Sequence, residues 1–362
     1  MHRRAALLAA ILSLGFPVNQ AWALPTGNQL VAGAATVSSP TPTSLAITQT
    51  SGKAIINWQS FNIGAAEQVR FIQPGASSVA LNRVLGADPS AIYGQLSANG
   101  QVYLVNPNGI LFGPTARVDV GGLVASTLNI ANAGTISANG GSAALAAGEK
   151  LTLDFDGDNL LKIKVDAAAL NAQVANSGAI VADGGRVALT ARAAGDLMGS
   201  VINHSGTIRA TSMVKRNGEI VLDGGTRGSV AVSGTLDASG AQSASGGGSI
   251  GVFGRDIALQ GASLDASGQG AGGGVLVGGA PHGAPAVVAG NPVTNARSVS
   301  MDAASAISAD ARSRGDGGKV VLWSDESTKF DGRISARGGP AGGNGGLVET
   351  SGRSSRSVTA LA

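Results

Sequence analysis

Cysteine is absent from all 362 residues, which excludes a disulfide framework, a thiolate metal site and a cysteine nucleophile. Proline is scarce at 12 residues and the glycines keep no every-third register, so a collagen-like helix has neither its imino acids nor its period. Aromatic residues make up 3% of the chain, and no Lys/Arg cluster is interleaved with them, which removes the usual footprint of a nucleic-acid partner. No apolar run reaches the roughly 20 residues that a membrane-spanning helix needs. Glycine, by contrast, is abundant: 56 residues, about twice the ordinary usage of roughly 7%. With 43% hydrophobic residues the chain is still too apolar for a disordered linker.

The amino terminus reads as a secretory signal peptide over residues 1–23. Arg3 and Arg4 precede an apolar stretch from Ala5 to Phe16, and the small-residue pattern Ala21-Trp22-Ala23 follows. Losing the two arginines takes the balance from +3 to 23 basic against 22 acidic residues, or +1. Much of the formal basicity thus belongs to the leader.

Beyond the aromatic-rich first 120 residues, short strand-like triplets recur: Gly134-Thr135-Ile136, Gly178-Ala179-Ile180, Gly206-Thr207-Ile208 and Gly234-Thr235-Leu236. Ser263-Leu264, Ala306-Ile307 and Arg333-Ile334 continue the series. Aliphatic positions 180, 208, 236 and 264 are 28 apart, whereas 136 to 180 and 264 to 307 are 44 and 43 apart, so each wide gap should hold an insertion. Two further columns show strand alternation. One runs through Val187, Ile220, Ile250, Val275 and Val320, the other through Val230, Ile257 and Val299. A single 28-residue unit cannot bury its apolar face, so the units must stack. The expected fold is therefore all-β, a right-handed parallel β-helix with an N-terminal cap. Residues 131–352 should supply about eight coils, a rod roughly 40 Å long at one interstrand spacing per coil. Glycine is expected at corners that need positive φ, and linker character is expected only from Gly246 to Gly290.

Candidate chemistry is thin. Asp154, Asp156 and Asp158 in DFDGD begin like a calcium loop, but its twelfth position is Val165, so the strongest ligand is missing. Gly268, Gly270 and Gly273 satisfy GxGxxG without a following helix to bind phosphate. Arg314-Gly315-Asp316 spells a cell-adhesion tripeptide inside a turn, a match short enough to arise by chance. His204 and His282 are isolated, and Asp183, Asp223, Asp237 and Asp265 recur near repeat corners as turn formers do. No metal and no cofactor is expected. A polysaccharide-binding or polysaccharide-cleaving β-helix stays as the enzymatic alternative, although no paired-carboxylate motif is visible.

The segment Asn106-Pro107-Asn108-Gly109-Ile110 reads on its own as a rigid turn between two short strands: Pro107 presets the second turn position, and Asn108 and Gly109 tolerate left-handed backbone. It lies in a longer array comprising Ile56-Asn57-Trp58-Gln59-Ser60-Phe61-Asn62-Ile63-Gly64, Val69-Arg70-Phe71, Ala80-Leu81-Asn82-Arg83-Val84, Ile92-Tyr93-Gly94-Gln95-Leu96 and Val102-Tyr103-Leu104-Val105. That array resembles the secretion domain of the filamentous haemagglutinin family, the exoproteins of two-partner secretion. The resemblance implies a secretion domain over residues 24–130, read in the periplasm by a dedicated outer-membrane transporter. It further implies a repeat rod over 131–352 that acts in surface adhesion, with a host-cell or surface glycan as candidate ligand. It also implies a secreted or cell-surface location in a Gram-negative bacterium and no enzymatic activity, and it makes Asn106, Pro107, Asn108, Gly109 and Ile110 the candidate recognition residues. Two departures from the family stand out. Ala131-Asn132-Ala133-Gly134 follows Ile130 directly, where members run through a further aromatic-containing segment, so a coil is expected to be missing or reshaped. Residues 353–362 are expected to be a disordered or truncated tail.

Overall fold

The computed structural model describes residues 24–358 apart from 149, 156–160, 168–171, 193–200, 215, 243 and 289–290. The leader, most of the DFDGD stretch and residues 359–362 lie outside the described residues. Three long sheets of 12, 10 and 12 strands wrap around one apolar core. Each coil visits them in turn, as Gln101–Val105 in the first sheet, Ile110–Phe112 in the second and Arg117–Asp119 in the third. Successive coils pair in parallel and in register. Parallel connections of this kind are right-handed, and the architecture is the right-handed parallel β-helix that the 28-residue spacing foretold. At the amino-terminal end Gln29–Ala32 and Ala35–Thr41 pair antiparallel with the first coil, which caps the stack.

The register converts sequence spacing into columns. In the third sheet Leu96, Val118, Ile136, Ile180, Ile208, Leu236, Leu264 and Ile307 lie one above another, each at most 1% exposed. Both wide gaps hold insertions, as expected. Lys150–Phe155 and Leu161–Ala167 form one antiparallel hairpin, and Ala286–Val288 with Asn291–Val293 forms another. Among the described residues seven strands of the first sheet follow residue 131, one fewer than the spacing suggested, because these insertions consume chain without adding coils.

Three expectations need correction. The recurrent glycines 134, 178, 206 and 234 do not have positive φ. Each is instead a point of close approach, where a Cβ would collide with a carbonyl oxygen of the preceding coil; Ala262 and Ser305, at the same place in later coils, show that the approach is not equally tight along the rod. The stretch from 246 to 290 is not a linker. Ser249–Phe253, Asp256–Leu259, Ser263–Asp265 and Gly274–Val277 continue the three sheets in register. Its glycine-rich corners are bonded coil to coil, with Gly247 donating to the Ala271 carbonyl, Gly268 to Asp310 and Gly272 to Asp316. After Ile130 the chain runs from Asn129–Asn132 through Thr135–Ser137 to Ser142–Ala147, and the sheets cross residue 130 without a break. Within the supposed tail, Ser355–Val358 is a strand paired with Ser327–Phe330.

One core column is polar. Asn132, Asn176 and His204 stack at the second sheet, each 1% exposed, between Phe112 below and Val232 above. Gly134 N–H donates to Asn132 Oδ1 (3.2 Å), Asn132 Nδ2 to Asn176 Oδ1 (2.7 Å) and Asn176 Nδ2 to His204 Nδ1 (3.0 Å). His204 Nε2–H then donates to the Thr235 carbonyl at 3.1 Å. All four bonds run the same way, which fixes His204 as the neutral Nε2–H tautomer. Burial pushes its pKa below the ordinary value, outweighing the bonds to Thr235 and Asn176.

Two predictions follow from this packing. Gly206→Ala should cost about 1–3 kcal/mol of stability, as overpacking does, whereas Gly274→Ala, whose Cβ would meet nothing within 4 Å, should leave the denaturation midpoint unchanged. The second concerns pH. An unfolded histidine titrates near about 6.5. Above that pH His204 is neutral in both states. Below it the unfolded chain takes up a proton that the folded chain resists, so stability falls as pH drops. Urea midpoints should therefore decrease from pH 7.5 to pH 5.5, and His204→Asn, which extends the asparagine column, should reduce that decrease. An equal decrease in the variant would refute the assignment.

Candidate functional site

The turn 106–109 joins Gln101–Val105 of the first sheet to Ile110–Phe112 of the second. Its apex closes through Gly109 N–H donating to the Asn106 carbonyl at 3.3 Å. Gly109 has φ +125°, a backbone that L side chains avoid, whereas Asn108 is not in the positive-φ region. Asn106 is fully buried. Its Nδ2 donates to the Asp88 carbonyl and to Ser90 Oγ, both at 3.0 Å, while Oδ1 accepts the Asn108 N–H at 2.9 Å and its own N–H reaches the Ser126 carbonyl at 3.1 Å. One residue thus ties three consecutive coils at a corner, its side chain reaching the coil below and its backbone N–H the coil above. Asn108 Nδ2 adds a bond of 2.8 Å back to the Gly86 carbonyl.

The five residues singled out in the sequence are brought together but differently presented. Pro107 and Asn108 are exposed; Asn106, Gly109 and Ile110 are buried. Only the first two offer atoms to a partner of the folded domain.

Beneath the turn lies an arrangement whose roles sequence reasoning did not assign. Trp58 Nε1 donates to Asn82 Oδ1 at 2.9 Å, and Asn82 Nδ2 donates to the carbonyls of Ala80 and Tyr103. Trp58 also meets Phe61 edge to face, with ring centroids 5.5 Å apart. The signal was present as an asparagine inside an alternating apolar strand, where a partnered polar group is needed. Tyr103 points outward from the first sheet yet is buried in a second apolar cluster with Val79, Val124 and Ala144, and this burial raises its pKa. Its hydroxyl donates to Gln101 Oε1 at 2.8 Å.

The remaining candidates are structural. Asp237 and Asp265 accept the backbone N–H two residues on, from Ser239 and Ser267, as corner residues do. Asp183 is clamped by Arg209 Nη2 at 2.7 Å and by Thr211. Burial would raise its pKa, but the hydrogen bonds from Arg209 and Thr211 and the Arg209 charge outweigh that and hold it low. Asp316 of the Arg-Gly-Asp tripeptide receives the Asn344 N–H at 2.6 Å and so ties its corner to the next coil. Gly268 and Gly273 sit in the stacked corners already described, and His282 is an exposed turn residue with φ 58°. Among the described residues no three His, Asp or Glu side chains are grouped to hold a metal ion.

Residues 21–139 match the family model of the TPS secretion domain, and the chain carries such a domain at its amino-terminal part. The whole structure is similar to the crystal structure of the HMW1 secretion domain from Haemophilus influenzae, with a TM-score of 0.70 and 28% identity over 93% of this chain and 98% of that one. Two heme/hemopexin-binding proteins of Haemophilus influenzae, one of them from strain Rd, are 43% identical over 106 residues and 44% identical over 117. Those stretches cover 29% and 32% of this chain but only 11% and 12% of the relatives, so the likeness is confined to a small part of each.

Asn106→Ala leaves the Asn108 N–H and Ser90 Oγ without their partner. It should lower stability by about 1–3 kcal/mol, as an unsatisfied buried polar group does, and Asn108→Ala by less. Denaturation of the purified chain, followed by circular dichroism, reads both.

Proposed function

We propose that this chain is a two-partner secretion exoprotein, whose amino-terminal module over residues 24–130 is recognised by an outer-membrane transporter and whose coils over 131–352 form a surface-displayed rod. The observation that carries this reading is the match of residues 21–139 to the TPS secretion domain, together with the fully bonded turn within it. The polypeptide passes from the periplasm in extended form and folds outside, where each coil stacks on the one before. In such a stack folding nucleates at one end and propagates through neighbour contacts, so folded coils oppose back-sliding. Recognition uses Asn106, Pro107, Asn108, Gly109 and Ile110. In the extended chain all five residues are open to the transporter; in the folded domain Pro107 and Asn108 remain so.

The module acts by address and by folding, without bond chemistry. Adhesion through the rod is supported by its regular outer face on the third sheet, where Thr135, Thr207 and Thr235 recur along one column with Ala179 and Ser263. The heme- and hemopexin-binding relatives resemble this chain only in the secretion segment, so their ligands are not assigned to it. The enzymatic alternative loses support because Asp183, Asp237 and Asp265 are engaged in corner bonds.

Coexpression of the chain with its candidate transporter tests the reading. Asn106→Ala and Asn108→Ala should each reduce the protein reaching the medium, and Asn108→Ala should do so with little loss of stability. Wild-type export of both variants would remove the recognition role of the turn.

A further inference from the structure

Five asparagines are followed by glycine, at 99, 108, 139, 217 and 344. Such a pair is chemically labile, because a glycine nitrogen has no flanking side chain to hinder its attack on the asparagine amide carbon. The fold disarms four of the five. Asn99 Oδ1 accepts the Gln73 N–H and its Nδ2 donates to the Gln73 carbonyl, both at 2.7 Å, so the amide is held at both ends. Asn108 Nδ2 donates to the Gly86 carbonyl, and the Gly109 N–H is engaged by the Asn106 carbonyl. Asn139 Oδ1 accepts the Asp183 N–H at 3.1 Å, while the Gly140 N–H donates to the Asp183 carbonyl at 2.8 Å. Asn217 is exposed, but Gly218 is buried and its N–H donates to Ser212 Oγ at 2.9 Å. Asn344 differs from all four. It lies in an exposed run from Pro340 to Val348, neither its side chain nor the Gly345 N–H makes a hydrogen bond, and a Cβ on Gly345 would meet nothing within 4 Å.

We infer that Asn344 is a site of spontaneous deamidation in the folded rod, with water as the co-reactant. The Gly345 nitrogen gives up its proton and bonds to Asn344 Cγ; the Cγ–Nδ2 bond breaks, and Nδ2 leaves with that proton as ammonia. Water then opens the resulting five-membered imide. Opening between the ring nitrogen and Cγ gives aspartate, and opening at the main-chain carbonyl gives isoaspartate, whose backbone runs through the side-chain methylene. No oxidant or reductant takes part. Both products place a carboxylate at a point where two coils are tied. The Asn344 N–H donates to Asp316 Oδ1 at 2.6 Å, and its carbonyl accepts the Gly317 N–H at 2.9 Å. A second negative charge beside Asp316 repels it, and the longer isoaspartate backbone moves the N–H and carbonyl of 344 out of register with their partners. The coil through Arg333–Ser335 and Leu347–Gly352 is therefore loosened from the one below as the protein ages.

The purified chain is incubated at pH 7.5, both folded and in denaturing urea, and the five asparagine peptides are followed by mass spectrometry for exchange of amide for acid. In the folded chain Asn344 should convert about tenfold faster than each of the other four, the ratio set by one hydrogen bond that must open first at the protected pairs. In urea the other four should catch up, since the fold no longer shields them. The rate at Asn344 should rise with pH, because the glycine nitrogen attacks without its proton. Gly345→Ala should slow the conversion several-fold with an unchanged thermal midpoint, as the added methyl has room in the fold but hinders the attack. Limited proteolysis should cut the converted chain within 338–346 faster than the fresh one. Conversion of Asn344 in the folded chain no faster than at Asn99, Asn108, Asn139 and Asn217, or an unchanged rate in Gly345→Ala, would overturn the site. Equal cutting of fresh and converted chains would overturn the loosening. Should Gly345→Ala fold poorly, the comparison of folded and urea-treated wild type alone decides.

Discussion

Everything in this molecule depends on the distance between one coil and the next. Parallel backbone hydrogen bonding sets that distance at about 4.8 Å on all three faces, and no side chain can be placed where the backbone of the coil below already stands. This one spacing selects glycine at 134, 178, 206 and 234 and ladders of like aliphatics inside. It also confines extra chain to hairpins that leave the stack, such as Ala286–Val288 with Asn291–Val293. Corner acids add a second layer of coil-to-coil attachment. Asp310, for example, accepts from Arg337 N–H, Arg337 Nη2 and Ser335 Oγ of the following coil.

The turn at 106–109 uses the same constraint for another end. Asn106 meets three coils at once because they are so close, and its bonds leave Pro107 and Asn108 standing out on a frame that cannot relax. Burial of the asparagine and exposure of its two neighbours are two sides of one geometry. The segment is at once a structural pin and a surface feature.

Much of the fold was legible because a stacked repeat writes its geometry as spacing. The 28-residue interval located the third-sheet column residue by residue, and the 44- and 43-residue intervals located both hairpins. The corners were harder to read. Glycine serves positive φ, close approach and flexibility alike, and the sequence does not say which; at 247, 268 and 272 the answer was close approach, so an apparent linker proved to be coil. Of the turn, its shape followed from proline and glycine preferences, but the burial of Asn106 depends on Ser90 and Asp88 from the coil below, contacts that no local pattern specifies.

Repetition brings its own hazard: a chain that repeats every 28 residues can pair with the wrong neighbour and still bury its aliphatics. The column Asn132, Asn176, His204 bears on this directly. A slip by one coil within this column would part an amide from its buried partner and break a chain of four bonds that all point one way. An aliphatic ladder tolerates such a shift; a directional polar one does not. Three buried side chains thereby number the coils, marking one place in the rod that cannot be mistaken for any other.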